Sequence, residues 1–215
     1  MKNSYKNIIH WVLVLAFLIS SSAFVYKNTQ ELKVSVLPTA MAPAFDGLTN
    51  PVNRVPKWTA LTSAEYKLPY DQIPASKMVD LPVYDPNQLR TPVEQLGWKN
   101  PADLDIRNAK ITYSTVYMSD YSGHGIEYAG SHLADDIKVP MGTPVYAIGN
   151  GVVDKVANLS TGFGVHVVIR HDNFPSFDNP NVLTTYYSSY SHLSSALVAQ
   201  GSVVLKGQQI GFSGQ

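Results

Sequence analysis

The sequence predicts a mostly β chain: an antiparallel β-sandwich or sheet domain over residues 106–215, a proline-rich extended segment over 26–105, and an apolar helix within 1–25. Three observations carry this. From Lys110 onward, short runs of β-formers alternate with Gly, Asn, Asp and Pro, the punctuation of short strands. Between residues 27 and 105 prolines recur from Pro38 to Pro101 while Gly47 and Gly97 are the only glycines. Proline at that density breaks helices and central strands. At the start, Ile8 to Ile19 reads IIHWVLVLAFLI, and from Trp11 to Ile19 it has no polar face.

The N-terminal stretch reads as an export signal. Lys2 and Lys6 form the positive flank, and Ser21-Ser22-Ala23 offers small residues for cleavage. Phe24, Val25 and Tyr26 extend the apolar run toward spanning length, so an uncleaved inner-membrane anchor is the alternative. Either reading places the remainder in the periplasm or cell envelope, with the lysines keeping the N-terminus inside. His10 belongs to this segment.

In the proline-rich stretch, Trp58, Tyr66, Tyr70, Tyr84 and Trp98 are interspersed, which suits a segment lying along a folded body. VEQLGWKNPADL has room for one short helix. After it, ITYSTVYM, TPVYAI, GVVDKVA, GVHVVIR, VLTTYYSSYSHL, SVVLKG and QQIGFSG read as strands. Asn150-Gly151 between two apolar runs predicts a hairpin.

Composition narrows the chemistry. The chain has 215 residues, formal net charge zero, 45% hydrophobic and 15% charged residues, and no cysteine. This is a foldable composition without the basic surplus of a nucleic-acid binder. Disulfides, thiolate metal sites and cysteine nucleophiles are excluded, so a metal here needs His, Asp or Glu.

SHLADDIKVP, residues 131–140, holds one histidine and two aspartates. In a strand, His132, Ala134 and Asp136 share one face, and Leu133, Asp135 and Ile137 the other. Imidazole and carboxylate across a small alanine suit a divalent ion such as zinc. His132 and Asp136 are therefore the candidate ligands, with Asp135 a solvent or turn carboxylate. On spacing alone, a surface histidine beside two turn-forming aspartates fits equally.

The flanking residues resemble the core of the lysostaphin-type zinc metalloendopeptidases, secreted enzymes that cut peptide cross-links of bacterial cell walls. His132, Asp136 and Ile137, then Gly142-Thr143-Pro144-Val145, then Gly151-Val152-Val153 follow that family's order. FGVHVVIRHDN resembles its strand after a glycine loop, YSHLS its Tyr-x-His-Leu element, and GSVVLKGQQIGFSGQ its close. The resemblance implies a lysostaphin-like (duplicated hybrid motif) fold, His132 and Asp136 as zinc ligands, and His192 as a catalytic residue handling the water's proton or the oxyanion. It also implies peptidoglycan peptides as substrate.

Alternation along VLTTYYSSYSHL puts Tyr186, Ser188, Tyr190 and His192 on one face, with Leu193 leaving the strand. In GVHVVIRH, His166 falls with Val168 and Arg170, and His171 with Val165, Val167 and Ile169. Both histidines are expected to be structural or solvent-facing. His124 and Tyr128, in a glycine-rich loop, are candidates for lining the cleft.

The family's third ligand comes from a His-x-His element after the Ile-Gly-x-x-Gly close, and no His-x-His occurs here. The expectation is a fragment, inactive as it stands, whose natural protein supplies that ligand. The alternative is a non-catalytic wall-binding or regulatory envelope protein on a degenerate peptidase fold. VVLKGQQIGFSG also resembles carrier-domain hairpins, though Lys206 lacks their flanking pattern.

Overall fold

In a computed structural model, the described residues are 41, 43–81, 102–119, 132–159, 162–176 and 178–214. The N-terminal apolar run with His10, the VEQLGW stretch, and His124 and Tyr128 lie outside them. In chain order the described elements are β1 (Arg54–Pro56), four single 3₁₀ turns between Trp58 and Lys77, β2 (Met78–Asp80), α1 (Asp103–Thr112), β3 (Tyr113–Thr115), β4 (Asp136–Ile137), β5 (Pro144–Tyr146), β6 (Gly151–Asn158), β7 (Val165–Pro175), β8 (Leu183–Ala196), β9 (Val203–Val204) and β10 (Gln209–Ser213). The predicted β-rich, antiparallel class is what forms. Among the described residues no helix is long and apolar enough to cross a membrane.

Six strands make the main sheet in the order β5-β10-β8-β7-β6-β9, every pairing antiparallel. The alternation read from β7 holds. Val167 and Ile169 are fully buried and join Val145, Ala147, Val153, Tyr190, Leu193, Val204 and Ile210 in the core. Each such aliphatic side chain contributes about 1.5–3 kcal/mol through removal from water.

Asn150-Gly151 does not make the expected hairpin. β5 pairs with β10, whereas β6 pairs with β7 and β9. The glycine serves close approach instead of a tight turn: a Cβ on Gly151 would stand 2.5 Å from Ile169 Cγ2 and 2.6 Å from the Arg170 carbonyl. The Asn150 side chain donates to the Ala44 carbonyl at 2.9 Å and accepts from Lys206 N–H at 2.9 Å.

The strand expected over ITYSTVYM starts late, because Ile111 and Thr112 end α1. Asp103 and Asp105 in the first turn and Lys110 in the last complement the helix dipole. Asn108 fixes the helix to the proline-rich segment, donating to the Pro56 carbonyl at 3.3 Å and accepting from Thr59 N–H at 3.4 Å.

That segment is more folded than an extended strap. Ala40–Gln215 form one compact unit. Val52, Val55, Trp58, Ile73 and Met78 are buried, and β1 pairs with β2. Residues 49–51 run beside β5, with Thr49 N–H on the Ile148 carbonyl and Tyr146 N–H on the Pro51 carbonyl, both 2.8 Å. The sheet edge at β5 is thereby covered, which removes a template for intermolecular pairing.

Candidate active site

His132 and Asp136 meet, as the four-residue spacing suggests, but not by way of a continuous strand. β4 contains only Asp136 and Ile137, so the predicted strand over 132–137 is corrected to a bend entering a two-residue bridge. The imidazole is oriented from its far side. Nδ1 lies 3.2 Å from the Val116 carbonyl, which can only accept, so Nδ1 carries the proton. Nε2 is then the basic nitrogen, 3.4 Å from Asp136 Oδ1. An ion held tetrahedrally at about 2.0–2.1 Å from each atom separates them by roughly 3.3 Å. A histidine whose other nitrogen donates to a backbone carbonyl is the usual support for a metal ligand. His132 is buried and Asp136 half-buried. These two residues therefore fit a divalent ion as one wall of its site. Among the described residues no group of three His, Asp or Glu side chains could hold a metal.

Asp135 does something else. Its carboxylate accepts Tyr117 N–H at 2.9 Å, fixing the chain after β3 against β4. The bond reaches back 18 residues, so it ties two segments together and is not the local turn bond expected of it. The Val116 carbonyl was not foreseeable from sequence, since a backbone acceptor leaves no residue signature.

His192 lines a cleft of about 290 Å³ together with Asp135, Ile137, Tyr190 and Ser213. Its placement differs from the alternation argument. Tyr190 and Leu193 are both buried while His192 between them is exposed. Across the pair, Val165 faces Leu193 and Val167 faces Tyr190, so three steps on β8 oppose two on β7. That bulge, with φ of +55° at His192, swings the imidazole off the core face. Nor does Leu193 leave the strand; β8 runs on to Ala196.

Glycines on both sides make room for this backbone. Gly164, φ +59°, follows Phe163, whose carbonyl accepts His192 N–H at 2.9 Å. Gly214 N–H donates to the His192 carbonyl at 2.7 Å, and a Cβ there would lie 3.0 Å from that oxygen. Ser213 lines the cleft, with Thr143 buried behind it. Both hydroxyls donate to the Pro140 carbonyl, and the Ser213 hydroxyl also accepts Thr143 N–H.

The two remaining described histidines part company. His171 is buried on the core face, its Nδ1 2.8 Å from the Asn150 carbonyl and its Nε2 2.8 Å from Ser188 Oγ. Ser188 Oγ lies 3.1 Å from Tyr190 Oη, which accepts Ile148 N–H at 2.8 Å. With the imidazole neutral, one proton arrangement satisfies the chain: Nδ1–H to Asn150, Ser188 O–H to Nε2, Tyr190 O–H to Ser188. Burial pushes the Tyr190 phenol upward from its ordinary range, against its contacts with Ser188 and Ile148 N–H, which lower it. His166, on the opposite face, is also buried and packs 5.8 Å from the Phe163 ring. Both are structural, and neither lies beside the His132–Asp136 pair in sequence or in the hydrogen bonds above.

Comparison with known proteins adds to this geometry. Residues 130–215 match the model of Peptidase family M23. Peptidoglycan DD-endopeptidase ShyA of Vibrio cholerae is 42% identical over 83 residues, 39% of this chain and 16% of that protein. Peptidoglycan DD-endopeptidase ShyC of the same organism is 38% identical over 111 residues, 52% of this chain and 22% of that protein. The uncharacterized lipoprotein YgeR of Escherichia coli is 34% identical over 85 residues, 40% of this chain and 30% of that protein. The chain thus spans less than a third of each of these relatives.

Proposed function

With residues 130–215 matching the model of peptidase family M23, we propose that the protein is a zinc-dependent endopeptidase hydrolysing peptide cross-links of bacterial peptidoglycan. The observation that carries this is the His132–Asp136 pair, 3.4 Å apart, with the imidazole tautomer fixed by the Val116 carbonyl. The names of the two Vibrio relatives support the substrate class. His132 and Asp136 would hold the zinc, and a third ligand would come from outside the described residues.

Bound there, zinc supplies Lewis acidity toward a peptide carbonyl and a water acidified to near neutral pH. The protein's own groups do the rest. His192, exposed in the cleft on the β8 bulge, takes a proton from the attacking water and returns it to the leaving amine. As imidazolium it also faces the negative charge that develops on the tetrahedral oxygen. The open cleft admits a short, flexible peptide. Within the chain, residues 1–25 serve export or anchoring, 26–105 form the proline-rich segment, and 106–215 the peptidase domain, acting in the periplasm or cell envelope.

The test is zinc binding by calorimetry, followed by digestion of cross-linked muropeptides. Asp136→Ala should weaken zinc at least tenfold, and His192→Ala should leave zinc unchanged while abolishing any cleavage the parent shows. Unaltered zinc affinity in Asp136→Ala would refute the assignment. One observation favours a second reading: only two ligands meet among the described residues. A non-catalytic wall-binding protein would bind peptidoglycan regardless of chelator and cut none.

A further inference from the structure

We propose that a second cleft, beside the one holding His192, is a docking subsite for a free carboxylate on the bound peptide; this rests on the peptidase reading. The cleft, about 510 Å³, is lined by Trp58, Tyr66 and Lys67 of the proline-rich segment and by Lys138, Val139 and Gly214 among others. Lys138, Val139 and Gly214 also line the His192 cleft, so one extended ligand can occupy both.

The chemistry of its walls selects the ligand. Its two charged lining residues are lysines, which donate and cannot accept. No carboxylate of a described residue lines it. Glu65, next in sequence to Tyr66, is committed elsewhere, with both oxygens 2.6 Å from Lys77 Nζ. The Lys138 ammonium is held in place, 5.2 Å from the Trp58 ring centroid and 5.1 Å from that of Tyr66. Its backbone N–H is tied to the Thr112 carbonyl at 2.6 Å. A cation held between aromatic rings loses less freedom on meeting an anion than a free lysine does.

Position links this anchor to the proposed chemistry. Lys138 follows Asp136 by two residues, about 7 Å along extended backbone. A peptide carboxylate on Lys138 therefore lies within one or two residues of a bond presented to Asp136. The proline-rich segment, on this view, supplies part of the specificity.

The test uses the full chain and the Trp58 indole N–H resonance, assigned by its loss in Trp58→Phe. The chain has three tryptophans, so the signal is resolvable. The probes are a tetra-alanine peptide with a free C-terminal carboxylate and the same peptide as its C-terminal amide. The free acid should shift the resonance and bind at least tenfold more tightly than the amide. Lys138→Met should erase that preference and Lys67→Met should reduce it severalfold, each with the fold confirmed by the remaining spectrum. Equal binding of acid and amide, or an unchanged preference in both variants, would overturn the subsite. Acid-selective binding by a protein that digests no cross-linked peptide even when the chain carries a third zinc ligand would instead defeat the peptidase reading and uphold the carboxylate site.

Discussion

His192 shows how much one backbone angle decides. Histidine tolerates positive φ better than branched residues do, and its +55° takes the imidazole out of the alternation that buries Tyr190. The spacing of YSHL cannot disclose this, because a bulge is a mismatch between two strands and not a property of either alone. The pairing of His132 with Asp136, by contrast, was legible, since four residues of turn and short strand bring both ends together. So was the division in β7, where regular alternation separates His166 from His171. Tyr190 permits a sharp prediction. Its folded-state pKa is raised, so the phenol keeps its proton at pH values where the unfolded chain loses it. That stability is fully present below pH 10, the ordinary phenol value, and is lost as pH climbs through the folded pKa. Ultraviolet titration should show one tyrosine ionising last, together with unfolding. Tyr190→Phe should remove that step and cost about 1–3 kcal/mol, because Ile148 N–H and the Ser188–His171 pair lose their partner.

At the scale of elements, glycine positions explain the misread hairpin. Asn-Gly is a turn signal when positive φ is wanted, but Gly151 lies on a strand pressed against β7. Gly151→Ala should destabilise by about 1–3 kcal/mol through overpacking, measured by urea unfolding; a neutral result would mean that β6 and β7 can separate freely. α1 escaped notice for a different reason. Its last two residues, Ile111 and Thr112, also suit a strand, and its weak apolar face gives little period to read. Asp103 and Asp105 at the start and Lys110 at the end were the available signs. In the proline-rich segment, Thr62 and Glu65 bond reciprocally, Glu65 accepting Thr62 N–H at 2.8 Å and the Thr62 hydroxyl accepting Glu65 N–H at 3.3 Å. This reciprocal pair closes the chain just ahead of the 3₁₀ turn Glu65–Lys67 in the manner of a capping box. Lys77 first, then Thr62, hold the Glu65 carboxyl down at about 2. The depressed value means stability present above pH 4.5 and lost as pH falls toward 2. Carboxyl-detected NMR should find this midpoint, and Lys77→Met should return it most of the way to ordinary.

For the whole molecule, the described part of the proline-rich segment, residues 43–81, and the sheet belong to one body. Asp46 meets Lys206 through its side chain at 3.3 Å and its carbonyl at 2.9 Å, and Ala44 meets Asn150. The sequence concealed this because the contacts are long-range and mostly to backbone carbonyls; only the aromatics in the segment hinted that it packs on something. Replacing Asn150 by Ala removes the Ala44 and Lys206 links together. It should lower stability by about 1–3 kcal/mol and raise proteolysis near residues 44–50, read by limited digestion.

The cover that residues 49–51 lay over β5 has a consequence in time. Ala44 and Asn150 are 106 positions apart, and Asp46 and Lys206 are 160 apart. On the ribosome, the segment emerges long before anything exists for it to lie against. β5 itself must wait for β10, its partner inside the sheet. Synthesis at about 5–20 residues per second therefore leaves the segment undocked for many seconds. Contacts of such separation are the slow ones to close. Folding of this body waits for β10, with residues 44–51 among the last to settle.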